Sequence, residues 1–318
     1  MIKFSIIVPL YNKAPYVRKA LESIVAQTYR DWECIIVNDG STDDSLEVVN
    51  KYIQSVNSEE RIVNSIRIIS QTNSGVAAAR NRGVKDSKGE YVCFLDADDW
   101  WDKDFLMTMS EAIDTYPHAG VYGVNYYTVR NGVATKILTN IETGVMNYFK
   151  VYSCPPYAMP LCVGSVAIPR NVFNEVDGFN PIMKMAEDFD LWVRIALRYP
   201  VYYTDKALAY YNQDVQVKWR AIGKLVDPEH HFVFNADYLQ PEMTQNIDLR
   251  HAVEMVKIVC LRQYYLSNRY YKLAQGELQK IRLDDYRDKS FASYIWKPRW
   301  KERVKFYLYT IITTIRNR

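Results

Sequence analysis

Four short apolar runs, each ending in a polar cluster and each followed by a helical stretch, constrain this chain more than any other feature. Residues 4–9 read as a buried strand that ends at Pro9. Residues 16–26 follow with Val17, Leu21, Ile24 and Val25 at helical spacing. Residues 32–37 form a second strand, stopped by Asn38-Asp39-Gly40. Ser41 then opens a helix, with Asp44 completing a capping box. Residues 66–70 are a third strand, 75–84 a helix rich in small residues, and 91–95 a fourth strand. This alternation implies right-handed crossovers and an α/β fold with a mostly parallel sheet flanked by helices. Tyr11-Asn12, Asp39-Gly40-Ser41 and Asp96-Ala97-Asp98 all follow the C-terminal ends of strands, where an open α/β sheet forms its ligand crevice.

The second half is less regular. Residues 121–129 and 163–169 read as strands, 185–199 as a helix, and 202–211 as a strand or extended segment. After about residue 215 glycine almost vanishes and helical spacing takes over (Leu249, Val253, Val256, Cys260, Tyr264). The expected organisation is a catalytic domain over 1–215 and a helical region over 216–318. The 318 residues are 48% hydrophobic and 24% charged, which excludes a disordered or low-complexity chain. Five Cys without a C-x-x-C pair argue against a disulfide framework or a zinc site. A net charge of +3 gives no reason to expect nucleic acid as a partner. Residues 5–10 are too short an apolar run for a signal segment, and no apolar stretch of about 18 residues is present, so a cytoplasmic location is expected.

Three clusters carry chemistry. Asp96, Asp98 and Asp99 crowd three carboxylates into four positions, so something cationic must offset them. A hard divalent ion with phosphate ligands suits such oxygen donors. The plain alternative is a helix N-terminus, where acids meet the positive dipole end, and it covers Asp99. In the second cluster Gly40 permits a tight turn and close ligand approach, and Asp39 is an acceptor for a base N–H or a ribose hydroxyl. In the third, Gly75 opens a helix whose Arg80 and Asn81 can face the crevice. A solvated helix arginine is the plain reading of Arg80.

Together these pieces resemble glycosyltransferase family 2, nucleotide-sugar-dependent enzymes of the GT-A fold. Ser5 to Asn12 is similar to that family's first strand and loop, and Val37 to Asp43 to its second. Asn73, Gly75, Ala79-Arg80-Asn81 and Gly83 resemble the third block, and Leu95 to Asp99 the DXD block. The resemblance spans residues 4 to about 213. It implies that Pro9, Tyr11 and Asp39 hold the base and ribose of the donor, with Gly75, Arg80 and Ala97 beside them and Asp96 near the ribose. It implies that Asp98 binds Mn²⁺ or Mg²⁺ bridging the diphosphate. Glu187-Asp188 resembles the family's acidic pair at a helix start. An inverting transfer needs a carboxylate to take the acceptor proton, and Asp188 is the first choice, Glu187 the second. Gly164 and Ser165 would lie under the acceptor, a role a plain buried strand explains nearly as well. Trp192 is a core residue or a sugar-stacking one.

One departure stands out. The family often places a histidine shortly after a Tyr-Arg pair. Here Tyr210-Tyr211-Asn212-Gln213-Asp214 leaves Asp214 nearest that slot, as an oxygen ligand or as a residue that never meets the metal, with Lys218 and Arg220 as diphosphate contacts instead. The segment 294–318 is basic, with Trp300, Val304, Leu308, Ile311 and Ile315 at helical spacing. It suits an anionic membrane surface, or equally a terminal helix docked by the same face. The resemblance implies a UDP-sugar as the favoured donor, and a saccharide or lipid-linked glycan acceptor in surface polysaccharide synthesis. Two rivals remain open: a haloacid-dehalogenase-type phosphatase, suggested by the strand before Asp96, and a non-catalytic relative that binds nucleotide or glycan.

Overall fold

A computed structural model describes residues 3–56, 65–138, 141–155, 158–215 and 225–305. The chain divides into two compact units, Met1–Val215 and Gln216–Arg318.

The first unit is built on a sheet of ten strands among the described residues. Its path runs β3 (Ile66–Ser70), β2 (Trp32–Asn38), β1 (Phe4–Leu10), β4 (Tyr91–Phe94), β9 (Val166–Pro169), β6 (Val121–Arg130), β10 (Val201–Asn212) and β5 (Trp100–Trp101), with β7 (Val133–Lys136) added beside β6 and β8 (Gly144–Met146) beside β10. β1 (Phe4–Leu10), β2 (Trp32–Asn38), β3 (Ile66–Ser70) and β4 (Tyr91–Phe94) form the parallel half. β1 and β2 are buried on both faces, which is why they read as unbroken apolar runs. The other half is mixed. β9 (Val166–Pro169) is antiparallel to both β4 and β6 (Val121–Arg130), and β10 (Val201–Asn212) is parallel to β6. β5 (Trp100–Trp101), β7 (Val133–Lys136) and β8 (Gly144–Met146) add antiparallel edges.

The chain leaves β1 towards β2 and β3, then returns to place β4 on the other side of β1. That reversal is a topological switch point, and in open α/β sheets the ligand crevice lies outside the strand C-termini at such a point, here the ends of β1 and β4.

Helices cover the sheet through apolar stripes. α1 (Val17–Val25) buries Val17, Ala20, Leu21 and Ile24, the i, i+3, i+4, i+7 face. α3 (Val76–Lys85) approaches β1 so closely that a Cβ added at Gly83 would lie 2.3 Å from Ile7 Cγ2. After α4 (Phe105–Thr115), α5 (Tyr148–Ser153) and α6 (Arg170–Glu175), α7 (Glu187–Ala196) buries Phe189, Leu191, Trp192, Val193 and Ile195.

Three local expectations need correction. The second helix, α2, spans Ser45–Ser55 and does not begin at Ser41. The Ser41 hydroxyl instead accepts from Asn12 N and donates to Leu10 O, so it closes the loop between β1 and β2. Residues 163–165 are a tight 3₁₀ turn ahead of β9, not part of the strand. The helix expected from residue 185 starts at Glu187.

The second unit centres on a helix over Ile247–Leu266, packed against another over Tyr271–Gln279. Its interior includes a buried ion pair, Lys257 Nζ to Glu277 Oε2 at 2.9 Å, and Glu254, which accepts from the Tyr286 hydroxyl at 2.8 Å. No helix among the described residues is long and apolar enough to cross a membrane.

Candidate active site

Two loops are stitched together at the switch point. Asn12, buried with φ +53°, accepts through Oδ1 from Thr42 N (2.8 Å) and Asp43 N (3.3 Å). Pro9 lies in β1 opposite Val37, and Tyr11 stands exposed on the rim. Asp39 is buried. Its Oδ1 accepts from Ser74 N (2.8 Å) and Gln71 Nε2 (2.8 Å), and its Oδ2 from Gly75 N (2.9 Å). The Asp39 carboxylate thus clasps the loop before α3, and Gly75 enters that helix at φ +88°, a conformation glycine adopts without strain.

Arg80 is not the solvated helix arginine of its plain reading: it is 2% exposed. Its Nη2 donates to Asp96 Oδ1 at 2.7 Å and its Nη1 to Glu187 Oε1 at 3.0 Å, with the guanidinium 5.1 Å from the Phe179 ring centre. Two carboxylates far apart in sequence, one following β4 and one opening α7, therefore meet across one buried cation. Such a pair is held by geometry as well as charge, because the guanidinium fork offers separate N–H groups to each partner.

Asp188 sits beside this triad, half-buried, its Oδ1 accepting from Phe189 N at 2.8 Å. The preceding Ala186 has φ +58°, a left-handed conformation that costs energy for a residue with a Cβ. Burial pushes the Asp188 carboxyl up to about 7. The Glu187 charge adds to that rise, and Arg80 opposes it. Tyr126 and Tyr148, both buried, and the half-buried Cys162 also lie within reach of its charge. A carboxylate poised near neutrality at a partly open position is suited to general-base work.

The DXD segment supplies the rest of the crevice. Ala97 is buried beneath it. Lys13 Nζ lies 2.5 Å from Asp98 Oδ2, each side chain 17% exposed. Burial pushes Asp98 up, Lys13 counters this, and Asp96 reinforces it. Asp99 is buried and accepts from Asn212 N at 2.8 Å, which joins this segment to the end of β10. Burial and the two neighbouring acids hold its carboxyl well above the usual range.

The carboxylate oxygens of this segment are of the type a divalent ion takes. A cation already stands against Asp98 Oδ2, in the form of the Lys13 ammonium, and the oxygen donors are of the hard type. Among the described residues no group of three or more His, Cys, Asp or Glu side chains is arranged to hold a metal. An ion held at Asp98 would need further oxygen donors from elsewhere, as Mg²⁺ commonly takes from substrate phosphates. Asp214 has other partners: its two oxygens accept from Asn131 N (2.6 Å) and Gly132 N (2.8 Å) and fasten the β6–β7 turn. Lys218 and Arg220 lie outside the described residues.

On the expected acceptor side, Gly164 accepts through its carbonyl from Trp101 Nε1 at 2.6 Å. Ser165 is enclosed, its hydroxyl donating to Cys162 O and accepting from Cys162 N within the turn. That hydroxyl closes the turn. Trp192 is fully buried, which makes it a core residue and removes the sugar-stacking alternative. Two contacts at the site were missed from sequence, Lys13 against Asp98 and the Asp99–Asn212 link. The signal for Lys13 was present: three crowded acids call for a cation, and a lysine directly follows Asn12.

The model of glycosyl transferase family 2 matches residues 5–176. Glycosyltransferase GlyA of Streptococcus pneumoniae serotype 4 is 41% identical over 126 residues, 40% of this chain and 17% of its own length. An uncharacterized glycosyltransferase of Rickettsia felis is 32% identical over 215 residues, 65% of this chain and 32% of its own. The matched segment thus spans less than a third of either relative. Crystal structures of S. aureus TarS 1-349 in complex with UDP and with UDP-GlcNAc are similar in fold. Their TM-scores are 0.60 and 0.61 at 21% identity, over 96% and 95% of this chain and 78% and 79% of theirs. The expected GT-A-type architecture is therefore the one observed, and with a family model matched over more than half of its length the chain belongs to glycosyl transferase family 2.

Proposed function

We propose that this chain is an inverting glycosyltransferase that moves a sugar from a nucleotide donor, UDP-linked by preference, to a saccharide or lipid-linked glycan in surface polysaccharide synthesis. The observation that carries the reading is the Arg80 bridge, which joins the donor-side Asp96 to Glu187, next to Asp188. The UDP and UDP-GlcNAc named with the TarS structures support the choice of nucleotide.

In this reading Pro9, Tyr11 and Asp39 border the nucleoside and Asp96 the ribose, with Asp98 holding Mn²⁺ or Mg²⁺ against the diphosphate. The ion would neutralise charge gathering on the leaving nucleoside diphosphate. Asp188 takes the proton of the acceptor hydroxyl. The acceptor oxygen bonds to the anomeric carbon, the bond from that carbon to the phosphate oxygen breaks, and the nucleoside diphosphate leaves with the electron pair. Asp188 and Glu187 open α7, so the carboxylates also sit at the positive end of a helix dipole. The test is transfer from a UDP-sugar by wild type and Asp188→Asn. The reading expects transfer to fall by about 10²–10⁴-fold with nucleotide binding kept. Equal transfer by both proteins would remove Asp188 from the role.

Peripheral membrane contact belongs to the same reading. Trp296, Trp300 and Val304 are exposed, whereas Glu302 turns inward to Arg262. Lys297 and Lys301 neighbour the exposed aromatics, a combination suited to an anionic surface. Residues 306–318, which carry the rest of the stripe, lie outside the described residues.

A further inference from the structure

The lysine against Asp98 is a built feature. Lys13 N donates to Ser45 Oγ at 2.7 Å, and the next residue, Ala14, donates through N to Asp43 Oδ2 at 3.2 Å. On the other side, buried Asn12 is fixed by Thr42 and Asp43. Both flanks of the loop are thus pinned to residues 42–45, at the start of α2, and the ammonium is delivered to Asp98 Oδ2 at 2.5 Å. Asp98 stands between the half-buried Asp96 and the buried Asp99, and carboxylates this crowded repel one another without a partner cation. A divalent ion bound at Asp98 would need the same carboxylate, and an ammonium and a divalent cation held against one carboxylate repel each other.

We infer that Lys13 is the resting cation of the crevice: it holds Asp98 until a metal–nucleoside diphosphate complex docks, then pairs with the diphosphate oxygens. The inference rests on the transferase reading. It makes the metal and the nucleotide arrive together. Metal alone must displace a lysine from a single carboxylate, whereas the metal–diphosphate complex offers that lysine new partners.

The test uses the full chain, with Mn²⁺ alone and with UDP plus Mn²⁺ as probes, read by calorimetry and by the electron paramagnetic resonance of free Mn²⁺. In Lys13→Met, affinity for Mn²⁺ alone should rise about tenfold and affinity for UDP with Mn²⁺ should fall about tenfold, the order of one charge-assisted contact. Opposite changes are not what general damage to the loop would give. Lys13→Gln, which keeps a hydrogen-bond donor for Asp98, is the second variant and should shift both affinities in the same directions. Unchanged or weaker Mn²⁺ binding in a folded Lys13 variant overturns the inference. Asp98→Ala separates the two levels. If it binds UDP with Mn²⁺ as wild type does, the metal assignment beneath the inference fails. If it loses that binding while the Lys13 variants match wild type, the inference alone fails.

Discussion

Asp188 and its neighbours divide the labour of one crevice by environment. Glu187 is tied to a buried guanidinium, while Asp188 next to it is pushed up to about 7 by burial and by the Glu187 charge. The sign of the pH dependence follows. Below pH 7 Asp188 is protonated and unable to accept a proton, so kcat should rise with pH through an apparent pKa near 7. Glu187→Gln removes a neighbouring negative charge and should move that acid limb to lower pH. Arg80→Gln removes a positive one and should move it higher. Initial-rate profiles of the three proteins check both directions. The same shift bears on stability. The folded protein keeps a proton on Asp188 that the unfolded chain releases near pH 4, so stability contributed at low pH is lost as pH rises towards 7. Asp188→Asn should therefore melt higher than wild type at pH 8 while losing activity. Scanning calorimetry at pH 5 and pH 8 tests this, with a larger gain expected at pH 8. The acids themselves were legible in sequence because Asp96 and Asp98 follow an apolar strand, and because Glu187-Asp188 falls in order after the other motifs. Lys13 was not picked out, because a loop lysine reaches in many directions and only the fold selects one.

Elements were legible where burial is two-sided and obscure where polar side chains compete. β1 and β2 are enclosed on both faces, so their apolar runs had one reading. The start of α2 was misplaced by four residues because Ser41 has the chemistry of a helix cap. In the fold its hydroxyl serves the loop, and Asp43 Oδ1 accepts from Ser45 N at 3.0 Å instead. Residues 163–165 looked like strand because Val163 and Val166 are β-formers, yet the Ser165 hydroxyl folds them into a turn. Helix α3 is the element that brings Arg80 to the crevice, and its seat depends on Gly83. A methyl there would meet Ile7 Cγ2 at 2.3 Å inside a filled core. Gly83→Ala should cost about 1–3 kcal/mol by overpacking and lower transfer activity by displacing Arg80. The urea midpoint measures the first effect and initial rates the second.

For the whole molecule, the switch point explains why motifs spread over the first unit act in one place. Loops after β1, β2 and β4 and the start of α7 are connected there by Asn12, Asp39 and Arg80. The second unit contributes a different surface, where Trp300 is 65% exposed beside basic residues. Trp300→Ala should reduce sedimentation with phosphatidylglycerol vesicles several-fold, leaving the little bound to phosphatidylcholine unchanged. Equal sedimentation of both proteins with anionic vesicles would count against the membrane reading. The central claim is that the crevice at β1 and β4 holds a nucleoside diphosphate with a divalent ion at Asp98. Its most direct measurement is calorimetric titration of UDP, GDP and dTDP into the full chain, each with and without Mn²⁺, repeated on Asp98→Ala. The account predicts metal-dependent binding of UDP above the other two, lost in the variant. Absence of binding by every nucleotide under both conditions would contradict it.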